Sequence, residues 1–107
     1  MINIHLELDQ NGCLKYLKVS GHESHKQKGQ ALICAAVTFL VRTVAHILTS
    51  KKELMAFFNA PEPGCLEIKV NAPAGKWQDW LKGISETLVT GILDLQGEYP
   101  EMIVFNK

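Results

Sequence analysis

From Ile2 to Asp9 apolar and polar side chains alternate, with Ile2, Ile4, Leu6 and Leu8 on one side and Asn3, His5, Glu7 and Asp9 on the other. A period of two sends successive side chains to opposite faces of a β-strand, so one face of this segment is expected to be core. Asn11-Gly12 is the pair that a tight hairpin favours, and a second strand from Cys13 to about Ser20 is expected to pair antiparallel with the first. In that strand Leu17 and Val19 alternate with Lys18, while Leu14 and Tyr16 share the lysine's side. Both faces are partly apolar, which predicts a central or partly covered strand.

Between Gly21 and Gly29 the pattern breaks into the polar run His22-Glu-Ser-His-Lys-Gln-Lys28, which has no large apolar residue to pin it to a core. A loop of that kind is expected to move, and its closure over a bound ligand would make any chemistry there conditional on that ligand. A helix is then predicted from roughly Gln30 to Ser50, apolar on nearly every face through Leu32, Ile33, Val37, Phe39, Leu40, Val41, Val44, Ala45, Ile47 and Leu48. One sheet in a small domain cannot cover such a helix, so its outer side is expected to meet a second helix or another subunit.

Lys51-Lys52 suits a helix C-terminus. A third strand is expected from about Glu53 to Phe58, a turn at Pro61-Glu-Pro-Gly64, and a fourth strand from Cys65 to Val70. Trp77, Leu81, Ile84, Leu88, Ile92 and Leu95 recur at helical spacing and predict a second helix from about Lys76 to Gly97. Trp77 and Trp80 at its start read as core. Met102 to Phe105 is expected to be a last strand. The chain is thus expected to be a single α+β domain over residues 1–107, ordered β-β-α-β-β-α-β, with a mainly antiparallel sheet and two helices packed on one face.

At 107 residues and 47% apolar content the chain is long enough for one real core. Lysine plus arginine equals aspartate plus glutamate at 11 each, with no long run of like charge, so no direct nucleic-acid partner is expected. Three cysteines without a CxxC spacing argue against a disulfide framework and a zinc site, and the cytoplasm fits that usage. The alternating N-terminus has no basic segment and does not read as a signal peptide. Ala31 to Leu48 approaches the length of a membrane span, but it contains Arg42, His46, Thr38 and Thr43, and it reads as a buried helix rather than a membrane element.

The candidate chemistry sits where the polar loop meets the helix. Cys34 falls just inside the first turns, where a positive helix end or a nearby imidazolium lowers a thiol's pKa from about 8.5 to between ~3.5 and ~7.5. His22 directly follows the second strand and is the candidate base; His25 competes with it. Thr38 shares the face of Cys34 one turn on, and small Ala35 and Ala36 leave space beside the nucleophile. Cys13 and Cys65 read as structural, His5 as solvated, and His46 as too far along the helix to serve the thiol. Binding of a metal by His22, His25 and Cys34 has three possible ligands but poor spacing, so no metal and no cofactor are expected.

Gly21-His22, the loop, and Gly29-Gln-Ala-Leu-Ile-Cys34-Ala-Ala-Val-Thr38 together resemble the signature of the ribosomal-processing cysteine proteases: Gly-His, a loop, then Gly-x-Asp-Ile-Val-Cys-Ala-Ala-Val-Ser. The order of elements and the C-terminal Tyr99-Pro100 before a short apolar strand are also similar. The resemblance implies an α+β fold, commonly a homodimer. It implies His22 and Cys34 as catalytic residues, with Gly21, Gly29, Ala35 and Thr38 supporting the site or binding substrate. The implied substrate is the N-terminal extension of a large-subunit ribosomal protein. The family's acidic residue is Ala31 here and its serine is Thr38, so the chain either recruits Glu23 or dispenses with an orienting acid. The alternative is a non-catalytic relative, a binding or ribosome-assembly module with an inert Cys34.

Overall fold

The alternation at the N-terminus becomes strand β1 (Ile2–Leu8) in the computed structural model, which describes residues 1–21, 29–62 and 64–107. Ile2, Ile4 and Leu6 are at most 1% exposed while Asn3, His5 and Glu7 face solvent. The turn after it is built around Asp9, whose carboxylate accepts the Asn11 and Cys13 amides at 2.8 and 3.0 Å. Strand β2 (Leu14–Ser20) then pairs antiparallel with β1.

The expectation that Leu14 shares a face with Tyr16 and Lys18 is corrected. Glu7 stands opposite Tyr16 and Leu8 opposite Leu14, so Lys15 is an extra residue that breaks the alternation. Leu14 thereby turns to the core, 2% exposed, and its N–H leaves the ladder to donate to Ser85 Oγ at 2.8 Å. Ser85 in turn donates to the Leu81 carbonyl at 2.7 Å, so this buried hydroxyl is fully used. The bulge leaves the second face of β2 to Tyr16, Lys18 and Ser20, which is why that face needs no cover.

Helix α1 (Gln30–Thr49) matches its expected span. The expected third strand begins late: Lys52–Leu54 form a 3₁₀ turn, Met55 has φ 49°, and only Ala56–Asn59 form strand β3. That turn sinks Leu54 completely into the core, and its carbonyl accepts the Ala72 amide at 3.2 Å. Strand β4 (Cys65–Val70) follows, then a 3₁₀ turn at Gly75–Trp77, helix α2 (Gln78–Glu98) and strand β5 (Ile103–Asn106).

The sheet order is β3-β4-β2-β1-β5, with β5 parallel to β1 and the other pairs antiparallel. Ile4, Leu17, Ile68 and Ile103 from the sheet share one buried cluster with Val37, Val41 and Leu48 of α1 and Leu88 and Ile92 of α2, so both helices cover the same face. The helices meet closely: a methyl group placed on Gly91 would come 2.8 Å from Leu40 Cδ2. Trp77 and Trp80 stand at the margin of the core rather than inside it, edge to face at 5.7 Å, with the Lys51 ammonium over both rings. On α1 the side away from sheet and α2 keeps Leu32 68%, Phe39 73% and Ile47 40% exposed.

Candidate active site

The positions of α1 that face inward run Gln30, Ile33, Cys34, Val37, Val41, Val44, Ala45 and Leu48. This is the i, i+3, i+4, i+7 stripe of an amphipathic helix, and all but its first member are apolar or sulfur-bearing. Gly29 precedes it in a left-handed conformation, φ 84°, and its carbonyl accepts the Ile33 amide at 3.1 Å to start the helical ladder. Cys34 lies one residue further, 6% exposed. Side chains on a helix lean toward its N-terminus, so the sulfur lies over the turn that contains Gln30. There the Gln30 side-chain amide, 1% exposed, donates through Nε2 to Cys34 Sγ at 3.5 Å. Its other end, Oε1, is buried and has no hydrogen-bond partner among the described residues.

Sequence reasoning missed Gln30. A signal was present: a carboxamide occupying an inward position of an apolar stripe, one turn before the only cysteine of the helix.

Gly21 and Gly29 bracket the polar segment and are gathered at one end of the sheet. Gly21 lies against the Met1 carbonyl, Ile2 N–H donates to the Met102 carbonyl at 2.8 Å, and the Met102 methyl lies beside Gly29. Gly21 is constrained twice over: its φ is +85°, and a Cβ there would stand 2.5 Å from the Met1 oxygen. At Gly29, φ +84°, a Cβ would meet, among the described residues, only Met102 Cε at 3.9 Å. Thr38 is half-buried one turn beyond Cys34, while Ala31 and Ala35 are exposed on the same helix.

His22, Glu23, His25 and the expected closure of 22–28 lie outside the described residues. His5 is on the open face of the sheet, 3.0 Å from Glu7, and His46 is exposed near the far end of α1 against Phe58. Cys13 is buried at the hairpin end, where its Sγ donates to the Gln78 carbonyl at 3.4 Å. Burial pushes the Cys13 thiol pKa up, and the Asp9 carboxylate adds to it. Cys65 pairs with Ser20 in register on the sheet. A groove of about 580 Å³ opens at the hairpin end between Asn11, Leu14, Asn71 and Gln78, and no residue of α1 lines it. Among the described residues no group of three His, Cys, Asp or Glu side chains could hold a metal ion.

The family model of the cysteine protease Prp matches residues 1–104. No curated protein matches the chain. Among solved structures, SMU.848 from Streptococcus mutans is similar with TM-score 0.81 and 20% identity, covering 99% of this chain and 92% of that one. The essential ribosomal processing protease Prp from S. aureus in complex with a substrate peptide is similar with TM-score 0.82 and 19% identity, covering 99% and 98%. The same S. aureus protease with a covalently linked product peptide gives TM-score 0.77 at 19% identity, again covering 99% and 98%.

Proposed function

This chain belongs to the cysteine protease Prp family, and we propose that it is a cysteine endopeptidase that removes the N-terminal extension of a large-subunit ribosomal protein. The observation that carries the reading is Cys34 in the opening turns of α1, its sulfur against a buried amide donor at the sheet end where Gly21 and Gly29 converge.

In this mechanism His22 takes the thiol proton and Cys34 attacks the scissile carbonyl. The S–C bond forms and the carbonyl π pair moves onto oxygen. When the pair returns, the amine leaves with the proton from His22, and water later hydrolyses the thioester. Gly21 fixes the backbone from which His22 departs, and Gly29 sets the start of the helix that presents the thiol. Exposed Ala35 and half-buried Thr38 border the nucleophile on α1 and leave room for an extended peptide. A covalently linked product peptide on the S. aureus relative supports a covalent route here.

Leu32, Phe39 and Ile47 form an exposed apolar side on α1, which supports a homodimer that buries it. The cytoplasm is the proposed compartment, a reading supported by an odd number of cysteines without a CxxC spacing. The test incubates the protein with ribosomal proteins of its source and locates any cut by mass spectrometry. Cys34→Ser and His22→Ala should each abolish cleavage, while His25→Ala and His46→Ala keep most of it.

One departure favours a second reading. Ala31 stands where the family signature has an acid, so the chain could keep the fold as a non-catalytic ribosome-assembly module. An inert Cys34 distinguishes it: in the proteolytic reading one thiol labels with iodoacetamide well below the usual thiol pKa of about 8.5.

A further inference from the structure

An acyl transfer at Cys34 needs a hydrogen-bond donor for the oxygen that becomes negative, placed close to the sulfur. Backbone N–H groups are the usual suppliers, yet on this helix those from Ile33 onward are spent. The Ile33 amide already donates to the Gly29 carbonyl at 3.1 Å, and the ladder of a regular helix takes the Cys34 amide and those after it. The orphan amides of the helix start belong to Gln30, Ala31 and Leu32, in the turn that the sulfur overlies, and none of them is a side-chain donor bonded to the sulfur.

Gln30 brings a side-chain donor directly to the sulfur. Its Nε2 lies 3.5 Å from Sγ, and the residue is 1% exposed with Oε1 buried and unpartnered among the described residues. A leucine or methionine would fill the same inward position without leaving a carbonyl oxygen dry, so packing does not account for an amide here. The tetrahedral oxygen is held two bonds from Sγ, through the acyl carbon. A donor that already touches the sulfur is therefore within reach of that oxygen after a small side-chain rotation.

We propose that the Gln30 side-chain amide is the oxyanion donor of this site, a catalytic residue that contacts the substrate's scissile carbonyl oxygen. The proposal rests on the proteolytic reading of Cys34. As the Cys34 thiolate forms its bond to the acyl carbon, the carbonyl π pair moves to oxygen and is met by the Nε2–H of Gln30. When the pair returns, the C–N bond breaks and the amine departs with the proton carried by the base.

The test compares wild type with Gln30→Leu and, as a second packing isostere, Gln30→Met. Three readouts are taken: cleavage of a substrate peptide, iodoacetamide labelling of Cys34, and the thermal midpoint. Loss of one oxyanion donor costs about 10²- to 10³-fold in kcat, so kcat should fall by that order with KM little changed. Alkylation by iodoacetamide displaces iodide and creates no oxyanion, so its rate should stay within about two-fold of wild type. The thermal midpoint should stay level or rise, because the unpaired Oε1 is gone.

A wild type that cleaves while both variants cleave equally fast overturns the Gln30 assignment alone. So does a fall in labelling that matches the fall in cleavage, which would place the amide at the ionisation of the thiol instead. A folded wild type that cleaves no peptide overturns the proteolytic reading and this role with it.

Discussion

Replacing Gly21 by alanine should damage the protein far more than the same change at Gly29, although both glycines have nearly the same φ. Left-handed backbone costs an ordinary residue about 1–2 kcal/mol, and both variants incur that strain. Only Gly21→Ala adds a collision, a Cβ 2.5 Å from the Met1 carbonyl oxygen. Met1 cannot simply step aside, because the next residue, Ile2, is 0% exposed and its amide is bonded to Met102 at 2.8 Å. Forcing an atom into such a place costs about 1–3 kcal/mol more. The totals are about 2–5 kcal/mol for Gly21→Ala and about 1–2 kcal/mol for Gly29→Ala, whose new methyl group meets, among the described residues, only the flexible end of Met102 at 3.9 Å.

Urea denaturation reads the difference as a shift in midpoint at unchanged slope. At roughly 4 °C or more per kcal/mol for a domain of this size, thermal midpoints should separate the variants by several degrees. Because His22 follows Gly21 directly, the shift of backbone that relieves the collision should also lower kcat in Gly21→Ala beyond any loss in Gly29→Ala. Equal midpoints for the two variants would refute the claim that the Met1 contact, and not φ alone, dictates glycine at position 21.

Ser85→Ala should destabilise by about 1–3 kcal/mol, since it orphans the buried Leu14 N–H, and hydrogen exchange at Leu14 should accelerate. The Tyr16 hydroxyl donates to Glu67, and that bond first, then burial, pushes its pKa up to about 12. The folded state thus favours the neutral phenol: the contribution is whole below the unfolded value of about 10 and fades as pH rises from there toward the folded value. Spectroscopic titration should show one late phenol, absent in Tyr16→Phe; ionisation of Tyr16 at an ordinary pH would contradict the Glu67 bond. Phe39→Glu, on the exposed side of α1, should convert a sedimenting dimer to monomer without lowering the thermal midpoint of the monomer fold. A wild type that already sediments as a monomer at micromolar concentration removes the dimer proposal.

The sequence was legible where one periodicity ruled. β1 and α1 lie where alternation and the apolar run placed them, because each pattern has one structural solution at that length. Leu14 was misplaced because the bulge at Lys15 depends on a hydroxyl 71 residues further along the chain, and no local pattern encodes that partner. The third strand was drawn too early for a similar reason: Leu54 is drawn into the core by tertiary packing, and the chain turns at Met55 before it can pair. In the candidate site, Cys34 was singled out by its place in the first turns of the helix, and Gly21 and Gly29 as the bounds of the polar run and through the family resemblance. Gln30 passed unnoticed because it was taken only as the first residue of the helix, although its spacing from Ile33, Cys34 and Val37 already put it on the inward face.

The account stands on Cys34 as a nucleophile, and a thioester is its direct trace. A peptide spanning the processing site is mixed with the protein, the reaction is quenched in acid within the first turnover, and the intact mass and fragments are read by mass spectrometry. The account predicts an adduct equal to the N-terminal cleavage fragment less one water, located on Cys34, formed by wild type and His25→Ala and absent from Cys34→Ser. Cleavage that proceeds at the wild-type rate in Cys34→Ser, or an adduct carried by Cys13 or Cys65, would contradict it.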